Sequence, residues 1–408
     1  MNSVGCIVIF LISVILLIPA FYLAFLTAGA VLQRVFGPAI SVADANKNEL
    51  LHSSTGQGGS VGKGEHIAIV VPAHNEELDI ASTVESLKKA ADANTSIHVV
   101  ADNCNDATAA RAREAGAVVW ERFHDTLRSK GYALEWAIPK VLAWGDENAT
   151  RIEFVAVVDA DASLSENSVP LVRAAFANGS DVLQSEYLLN RGEHMRARIA
   201  SIGFAAMNVV RGLGRLWWGG SDTLKGNGMW FRRSILDKYP WRAYSLAEDF
   251  EYAIHLIRSG IRIRILPGSI VTGAPARSGK GLQEQRVRWE AGRLALVTQT
   301  LPSLAAEFLK KPSLKTLDLF CEIITPPLAL VVALYTLALL WEPTRYVLGL
   351  VGFVLLSFHV AATVPLAKLP LRTFVDLCSV PFYVLWKVAL LPLVWARRRS
   401  KTWVRAER

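Results

Sequence analysis

Charge is scarce in this sequence and absent from its beginning. Only 20% of the 408 residues are charged and 52% are hydrophobic, whereas a soluble globular protein is about 25% charged. Residues 1–33 contain no Asp, Glu, Lys or Arg. The run from Val4 to Leu32 is longer than the roughly 20 residues that a membrane-spanning helix needs. We therefore predict a transmembrane helix over residues 1–33.

A cleaved signal peptide is the alternative for this segment, because Thr27, Ala28, Gly29 and Ala30 are small residues. Such a peptide carries Lys or Arg before a short apolar core, and this sequence has only Asn2 and Ser3 there. Positive charge instead follows the run, at Arg34 and Lys47. That order favours an outside N-terminus and a cytoplasmic segment after the helix.

Several other functional classes lack their signatures. The four cysteines have no metal-ligand spacing, which fits a reducing compartment such as the cytoplasm. The net charge of +8 is not accompanied by an aromatic-basic recognition module, so we expect no nucleic-acid partner. Residues 57–64 resemble a phosphate loop, but Gln57 replaces its first Gly and Gly64 replaces its Ser or Thr. Residues 34–65 are therefore interpreted as a flexible linker.

The C-terminal quarter contains three further apolar runs. Ile323–Trp341 and Tyr346–Ala367 predict two transmembrane helices within residues 323–367, preceded by an interfacial connection over residues 301–322. The run Leu377–Ala396 is interrupted by Lys387 and followed by a basic tail. For residues 368–408 we predict an interfacial helix with the tail near anionic head groups, with a fourth span as the alternative. These features predict a multi-pass protein of the inner membrane.

Between the apolar ends, short β-branched runs alternate with helical patterns. Strands are predicted over residues 67–71, 97–100, 117–120 and 154–158, and helices over residues 78–91, 107–115 and 130–138. Pro139 is expected to kink or end the last of these helices. The alternation predicts an α/β domain over residues 66–300, with a mixed, mostly parallel, Rossmann-like sheet. Ligands bind such sheets at the carboxyl edge of the strands.

Acidic residues follow two of these strands. Asp102 follows the second strand, and Asp159 and Asp161 follow the fourth. Two carboxylates at positions i and i+2 can face one Mg²⁺ or Mn²⁺, and such an ion neutralises a diphosphate leaving group. A third acidic site, Glu248–Asp249, begins a predicted helix over residues 250–259. Asp249 is a candidate general base, and a helix-capping acid is the alternative.

Five segments in order resemble the motifs of family 2 glycosyltransferases. They are Val70–Glu77, Val100–Asp106, Asp159–Asp161, Ala247–Asp249 and Gln285–Trp289. The last matches QxxRW, which is typical of the branch that includes cellulose and hyaluronan synthases. The resemblance covers roughly residues 66–295 and implies a GT-A fold, a UDP-sugar donor, an inverting reaction and a cytoplasmic catalytic domain.

The resemblance also implies roles for individual residues. Asp249, with Glu248, is the expected catalytic base, and Asp159 and Asp161 are the expected ligands of Mg²⁺ or Mn²⁺. The expected donor-binding residues are Pro72, Ala73, Asn75, Glu76, Asp102 (on the uracil), Lys130, Asp159, Asp161, Gln285, Arg288 and Trp289. The expected acceptor-binding residues are Gly226, Asn227, Gly228 and Trp289. Arg277–Gly281 is either a loop that closes over the diphosphate or a plain solvated loop.

The acceptor is the least determined part of this prediction. A polysaccharide or glycan is expected, but Lys225–Trp230 differs from the corresponding motifs of cellulose and hyaluronan synthases. A lipid that receives a single sugar is therefore the alternative. A nucleotidyltransferase is less favoured, because it requires a glycine-rich basic loop after its first strand. The expected partners are a nucleotide sugar, a carbohydrate or lipid acceptor and the bilayer.

Overall fold

The computed structural model describes residues 3–38, 65–274, 279–341 and 346–397. Most of the predicted linker, part of Arg277–Gly281 and the basic tail beyond Arg397 lie outside these residues.

The described residues form one eight-stranded mixed sheet with the order β3-β2-β1-β4-β7-β6-β8-β5. In chain order the strands are β1 (His66–Ala73), β2 (Thr95–Asp102), β3 (Val118–Arg122), β4 (Ile152–Val157), β5 (Ala162–Leu164), β6 (Val182–Leu189), β7 (Met229–Arg232) and β8 (Ile263–Gly273). β1, β2, β3 and β4 pair in parallel, as do β6 and β8, while β7 and β5 pair antiparallel to their neighbours. The predicted mixed, mostly parallel sheet is confirmed.

Helices precede, cover and follow this sheet. They are α1 (Ser3–Phe36), α2 (Ile80–Ala90), α3 (Thr108–Glu114), α4 (Lys130–Glu147), α5 (Ser168–Ala177), α6 (Met195–Ala205), a π-helix (Ala206–Val210), α7 (Arg211–Trp218), α8 (Arg233–Lys238), α9 (Glu248–Arg258), α10 (Gly279–Lys310), α11 (Leu314–Ile324), α12 (Leu328–Trp341), α13 (Tyr346–Leu366), α14 (Thr373–Leu377), α15 (Val380–Ala389) and α16 (Leu391–Arg397).

The β-branched runs form strands because both faces of the sheet are covered. Alternate residues of β1 enter two separate cores, with Val70 in one and Ile69 in the other. α4 begins at Lys130, where the Ser129 hydroxyl accepts from the backbone N–H of Tyr132 at 3.4 Å. Pro139 was predicted to kink or end this helix, and it does not end it: α4 continues to Glu147. Burial of Ile138, Val141 and Leu142 in the core compensates for the one lost backbone donor.

The apolar helices differ from the predicted spans in one main respect. Leu17–Phe36 within α1 and Gly349–Leu366 within α13 are each long and apolar enough to cross a membrane. The run predicted as one span over residues 323–341 is not one straight helix: it is divided between α11 and α12, which meet at a 71° bend. Pro326 and Pro327 stand at this bend, where proline has no N–H to continue the helix.

The remaining C-terminal helices are also broken or extended relative to the prediction. α15 and α16 form a second bent pair, with an angle of 42°, so the described residues contain two to four candidate spans depending on how bent pairs are counted. α10 continues to Lys310 across the predicted boundary at residue 300, so the predicted connection begins inside a helix. Leu296 and Leu304 on α10 are buried in the sheet core, which explains this continuation.

The first apolar helix, α1, contacts the sheet domain directly. Gly29 on α1 lies against Gly214 on α7, and a Cβ at Gly29 would be 3.0 Å from the Gly214 carbonyl oxygen. Glycine permits this close helix approach. Arg34, near the end of α1, forms an ion pair with Glu186 on β6 and donates to the Leu366 carbonyl of α13 at 3.0 Å. These contacts hold α7 and β6 against α1 and α13.

Candidate functional site

A cavity of about 400 Å³ runs from the carboxyl edge of the sheet to the C-terminal apolar helices. It contains residues from every one of the five motif segments except the second. The predicted site residues that line it are Pro72, Glu76, Lys130, Asp159, Asp161, Gly226, Glu248, Asp249, Gln285, Arg288 and Trp289. The cavity therefore brings most of the predicted donor residues and the predicted base into one space.

Lys130 connects the two acidic groups of the cavity. Its ammonium donates to the Asp159 carboxylate and to the Gly226 carbonyl. Gly226 in turn lies beside the predicted base, since a Cβ on it would be 3.1 Å from Asp249 Oδ2 and 3.7 Å from Lys130 Nζ. Asp159 and Asp249 thus lie on either side of one lysine, although 90 residues separate them in the chain.

Close packing of these charges changes their proton affinities. Burial, followed by the neighbouring Asp249 carboxylate, raises the pKa of Glu248 to about 7. Burial also raises the pKa of Asp249, while backbone hydrogen bonding and Lys130 oppose that rise. For Lys130, burial alone would lower the pKa, but the acids around it, Asp159 first, raise it. Glu248 and Asp249 are consequently better proton acceptors than exposed carboxylates near neutral pH.

Asp102, which was predicted to contact the donor base, does not line the cavity. Its carboxylate is fully buried and forms an ion pair with Arg122 on the neighbouring strand. Arg122 also donates to the Leu127 carbonyl at 2.9 Å, which holds the pair inside the domain. The pairing register explains this arrangement, because Asp102 of β2 lies directly opposite Arg122 of β3.

Two residues of the first turn that were predicted to bind the donor also lie outside the cavity lining. Ala73 is buried, and Asn75 adopts a left-handed backbone conformation with φ of 54°. The Asn75 Oδ1 accepts from the backbone N–H of Asn105 at 2.9 Å, so Asn75 shapes the turn and does not line the cavity. His74, which was not selected from the sequence, lines the cavity, and its ring Nδ1 lies 2.7 Å from the Asp102 carbonyl oxygen.

The glycine-rich segment before β7 is only partly exposed to the cavity. Lys225 and Gly226 line it, whereas Asn227 and Gly228, predicted to bind the acceptor, do not. Asn227 is fully buried, and its Oδ1 accepts from the backbone N–H of Asp159 at 3.1 Å. The Gly228 carbonyl accepts from the Ser185 N–H at 2.8 Å. Asn227 and Gly228 therefore support the site through hydrogen bonds and do not line the cavity.

The QxxRW segment lies on α10 and presents one side to the cavity. Gln285, Arg288 and Trp289, which were predicted to bind substrate, line it, and Arg286 lines it as well. The Trp289 ring packs 5.6 Å from that of Phe204, and the Arg286 guanidinium lies 5.0 Å above the Trp289 ring. The indole is therefore held in place by packing and by a cation–π contact.

Comparison with known sequences identifies the family. The profile described as "Glycosyltransferase like family 2" matches residues 64–292, which include all eight strands and the five motif segments. The chain belongs to glycosyltransferase family 2. It is a glycosyltransferase by this membership.

Individual relatives are more distant. The chain is 25% identical over 256 residues to the probable glycosyltransferase YdaM of Bacillus subtilis (strain 168), a match that covers 60% of this chain and 58% of that protein. The match thus spans less than two thirds of the relative's length.

Two solved structures are also similar to this chain. The mannosyltransferase PcManGT from Pyrobaculum calidifontis, in complex with GDP-Man and Mn²⁺, is 15% identical, with 91% of this chain and 98% of that chain covered and a TM-score of 0.48. Glucosyl-3-phosphoglycerate synthase from Mycobacterium tuberculosis, in complex with Mn²⁺, UDP and phosphoglyceric acid, is 23% identical, with 57% and 79% covered and a TM-score of 0.37.

The family 2 site supplies only some of the oxygen ligands that a hard divalent cation requires. Asp159 and Asp161 supply carboxylate oxygens on the turn between β4 and β5, and both line the cavity. No group of three or more His, Cys, Asp or Glu side chains arranged for a metal occurs in the described residues. Two carboxylates fit Mg²⁺ or Mn²⁺ when a bound diphosphate completes the oxygen ligands.

Sequence reasoning missed a polar group at the far side of this family 2 site. We call it the polar belt; its members are Asn208, Arg211, Arg293 and Glu322, and all four line the cavity. Arg211 Nη1 donates to Glu322 Oε1 at 3.0 Å, and Arg293 Nη2 donates to the Glu322 carbonyl at 2.6 Å. They come from the π-helix, α7, α10 and α11, so no motif spacing could have linked them.

Proposed function

We propose that this chain is an inverting glycosyltransferase that transfers a sugar from a UDP-sugar to an acceptor hydroxyl at the cytoplasmic face of a membrane. One observation carries the proposal: Lys130 contacts Asp159 and the Gly226 carbonyl, and Gly226 lies against Asp249, in a family 2 cavity. This arrangement supports the assignment of Asp249 as a base beside the carboxylates proposed to hold the donor diphosphate.

The donor end of the cavity is assigned to the first turn and the β4–β5 turn. Pro72, His74 and Glu76 line the side next to β1, where the nucleoside would lie. Asp159 and Asp161 would hold Mg²⁺ or Mn²⁺ together with diphosphate oxygens, and this ion would neutralise the charge that develops on the leaving group. Recognition of the base by Asp102 would require the base to reach Oδ2, the carboxylate oxygen without a hydrogen-bond partner in the described residues.

The proposed reaction is a single displacement. The acceptor oxygen forms a bond to the anomeric carbon from the face opposite the diphosphate, and the bond between that carbon and the diphosphate oxygen breaks. The acceptor proton passes to the Asp249 carboxylate, whose raised pKa favours this step. UDP leaves with the bonding electrons, and the Arg288 guanidinium and the Lys130 ammonium offset its negative charge.

The acceptor is proposed to be a glycan or a lipid that meets the enzyme at the membrane. The two candidate spans, Leu17–Phe36 and Gly349–Leu366, support membrane association. The QxxRW segment on the cavity wall supports a relation to the branch that contains cellulose and hyaluronan synthases, since Gln285, Arg288 and Trp289 all line the cavity.

The stereochemistry of transfer tests this proposal. Purified full-length protein would be incubated with Mn²⁺, membranes and a panel of UDP-α-sugars, with UDP release measured for each. The anomeric configuration of the product would then be assigned by NMR. A β-linked product is expected, because a single displacement inverts the configuration of the anomeric carbon. An α-linked product, or no UDP release from any UDP-sugar, would overturn the proposal.

A further inference from the structure

The cavity continues past the catalytic residues into the C-terminal apolar helices. We call this part the apolar limb. Its aliphatic lining consists of Leu328, Ala329 and Val332 of α12, Val360 of α13, and Val380 and Val384 of α15. Tyr383 and Lys387 of α15 also line the cavity, and Lys387 is paired with Glu290. α13 is one of the candidate spans. An aliphatic lining favours an aliphatic occupant, because burial of CH₂ groups is favourable and burial of unpaired hydroxyls is not.

The polar belt lies at the entrance of the apolar limb. Arg293 donates to the carbonyls of Glu322 and Thr325. Thr325 immediately precedes Pro326 and Pro327, which stand at the bend before α12. Pro326, Pro327 and Leu328 all line the cavity. A molecule that extends from Asp249 into the limb therefore passes the belt.

Two atoms of the polar belt have no partner among the described residues. Asn208 is 1% exposed and Arg211 is 4% exposed, yet Asn208 Oδ1 and Arg211 Nε make no hydrogen bond. Buried polar groups of this kind are normally satisfied. Asn208 lies within the π-helix, a distortion that often occurs at functional sites. The two atoms are one acceptor and one donor, and a hydroxyl-bearing group satisfies both.

Resting on the function proposed above, we propose that the acceptor is a lipid whose head group carries the attacking hydroxyl. Its alkyl chain occupies the apolar limb, and its head group contacts Asn208 and Arg211 beside Asp249. A growing glycan fits less well, because each sugar in the limb would bury several hydroxyls against aliphatic side chains. The lipid oxygen forms the new glycosidic bond, its proton goes to Asp249, and UDP departs.

Acceptors that share a head group but differ in chain length test this proposal. Two series would be used below their micellar concentrations, 1-O-alkylglycerols and alkyl β-D-glucosides with one, four, six or eight carbons. We expect the KM of one series to fall up to about fourfold for each added methylene, with kcat nearly constant. The responsive series identifies a glycerol or a sugar head group. Rates that do not depend on chain length in either series would overturn the proposal.

Substitution within the limb provides a matched pair of variants. Val360→Trp fills the limb, whereas Val354→Trp makes the same change on the same helix at a side chain that is 56% exposed. We expect V360W to abolish the preference for eight over four carbons and V354W to retain it. Val332→Phe is the second limb variant in case V360W does not fold. Loss of the preference in V354W as well, or its retention in both limb variants, would contradict the proposal.

A separate measurement distinguishes this inference from the proposed function. Metal-dependent binding of UDP to the wild-type protein depends on the donor end alone. If UDP binds and sugar is transferred without any dependence on chain length, the lipid inference fails and the proposed function stands. If UDP does not bind and no acceptor in either series is glycosylated, the proposed function itself fails.

Discussion

The Asn227 side chain holds the turn that carries Asp159. Its Oδ1 accepts from the backbone N–H of Asp159 at 3.1 Å, and Asn227 is itself fully buried. The residue follows Gly226, whose carbonyl accepts from Lys130. A segment predicted to contact the acceptor therefore positions the proposed metal-binding carboxylates.

Asn227→Ala should weaken metal-dependent catalysis without loss of the fold. The Asp159 N–H loses its acceptor, so the carboxylate turn becomes less ordered. We expect the Mn²⁺ concentration for half-maximal activity to rise, with kcat/KM reduced about 10–100-fold. Metal titrations of transfer activity provide the measurement.

Asn148→Ala is the control for that titration. Asn148 is exposed at the end of α4, where its side chain donates to the Trp144 carbonyl at 2.8 Å. An N227A variant with the metal dependence of the wild type would show that the backbone contact does not support the metal site.

Lys130→Met should shift the pH dependence of transfer. Lys130 lowers the pKa of both Glu248 and Asp249, so its removal raises both values. Asp249 must be deprotonated to accept the acceptor proton, and burial raises its pKa, so the wild-type kcat/KM should rise with pH over an acidic limb. In K130M this acidic limb should move to higher pH, and the maximal rate should fall because Asp159 loses its partner.

Lys140→Met is a control on the same helix as Lys130. Lys140 is exposed, with its ammonium 5.0 Å from the Trp136 ring. The pH–rate profile of the K140M variant should therefore match that of the wild type. A movement of the K130M acidic limb to lower pH would contradict the electrostatic account.

Gly226→Ala should impair catalysis more than stability. Gly226 has φ of 80°, and an added Cβ would lie 3.1 Å from Asp249 Oδ2. We expect kcat to fall at least tenfold, because the methyl group displaces either the carboxylate or the acceptor. Gly179→Ala is the matched control, since Gly179 has φ of 77° and an added Cβ would meet nothing within 4 Å.

Both alanine variants should lose about 1–3 kcal/mol of unfolding free energy through backbone strain. Thermal unfolding and steady-state transfer measured on the same samples separate the two effects. Equal losses of activity in G226A and G179A would mean that proximity to Asp249 is not responsible.

Arg215→Leu should destabilise the junction between the sheet domain and the apolar helices. Arg215 on α7 is fully buried and pairs with Asp318 at 3.0 Å and with Glu322 at 2.7 Å, both on α11. Loss of the cation leaves the buried Asp318 carboxylate without its arginine partner and removes one of the ion pairs of Glu322, which costs about 3–5 kcal/mol.

Arg233→Leu removes an exposed ion pair with Asp146 and should cost less than about 1 kcal/mol. Unfolding temperatures in detergent would compare the two variants. Similar temperatures for R215L and R233L would contradict a structural role for the buried cluster.

The sequence was most informative where a pattern depends on local physics. Strands were predicted at Ile67–Val71 and Phe154–Val158, because β-branched apolar runs suit a sheet covered on both faces. The second strand also identified Asp159 and Asp161, because they come directly after its end. The break at Pro326–Pro327 is equally local, and the prediction of one span there overlooked it.

Pairings between distant segments could not be predicted in this way. Asp102 faces Arg122 only because β2 and β3 pair in that register. The short strand Met229–Arg232 pairs antiparallel with β4 on one side and with β6 on the other, and Asn227, just before it, contacts Asp159 just after β4. The polar belt requires four separate elements to meet, so tertiary structure alone defines it.

Transfer in a single turnover by Asp249→Asn tests the central claim most directly. The amide keeps the shape of the carboxylate but cannot accept the acceptor proton, so the rate should fall about 10²–10⁴-fold. UDP affinity should stay close to that of the wild type, because Asp159 and Asp161 are unchanged. Asp237→Asn, at a carboxylate 58% exposed on α8, is the control and should react at the normal rate. Undiminished transfer by D249N would contradict the assignment of Asp249 as the base beside the donor carboxylates.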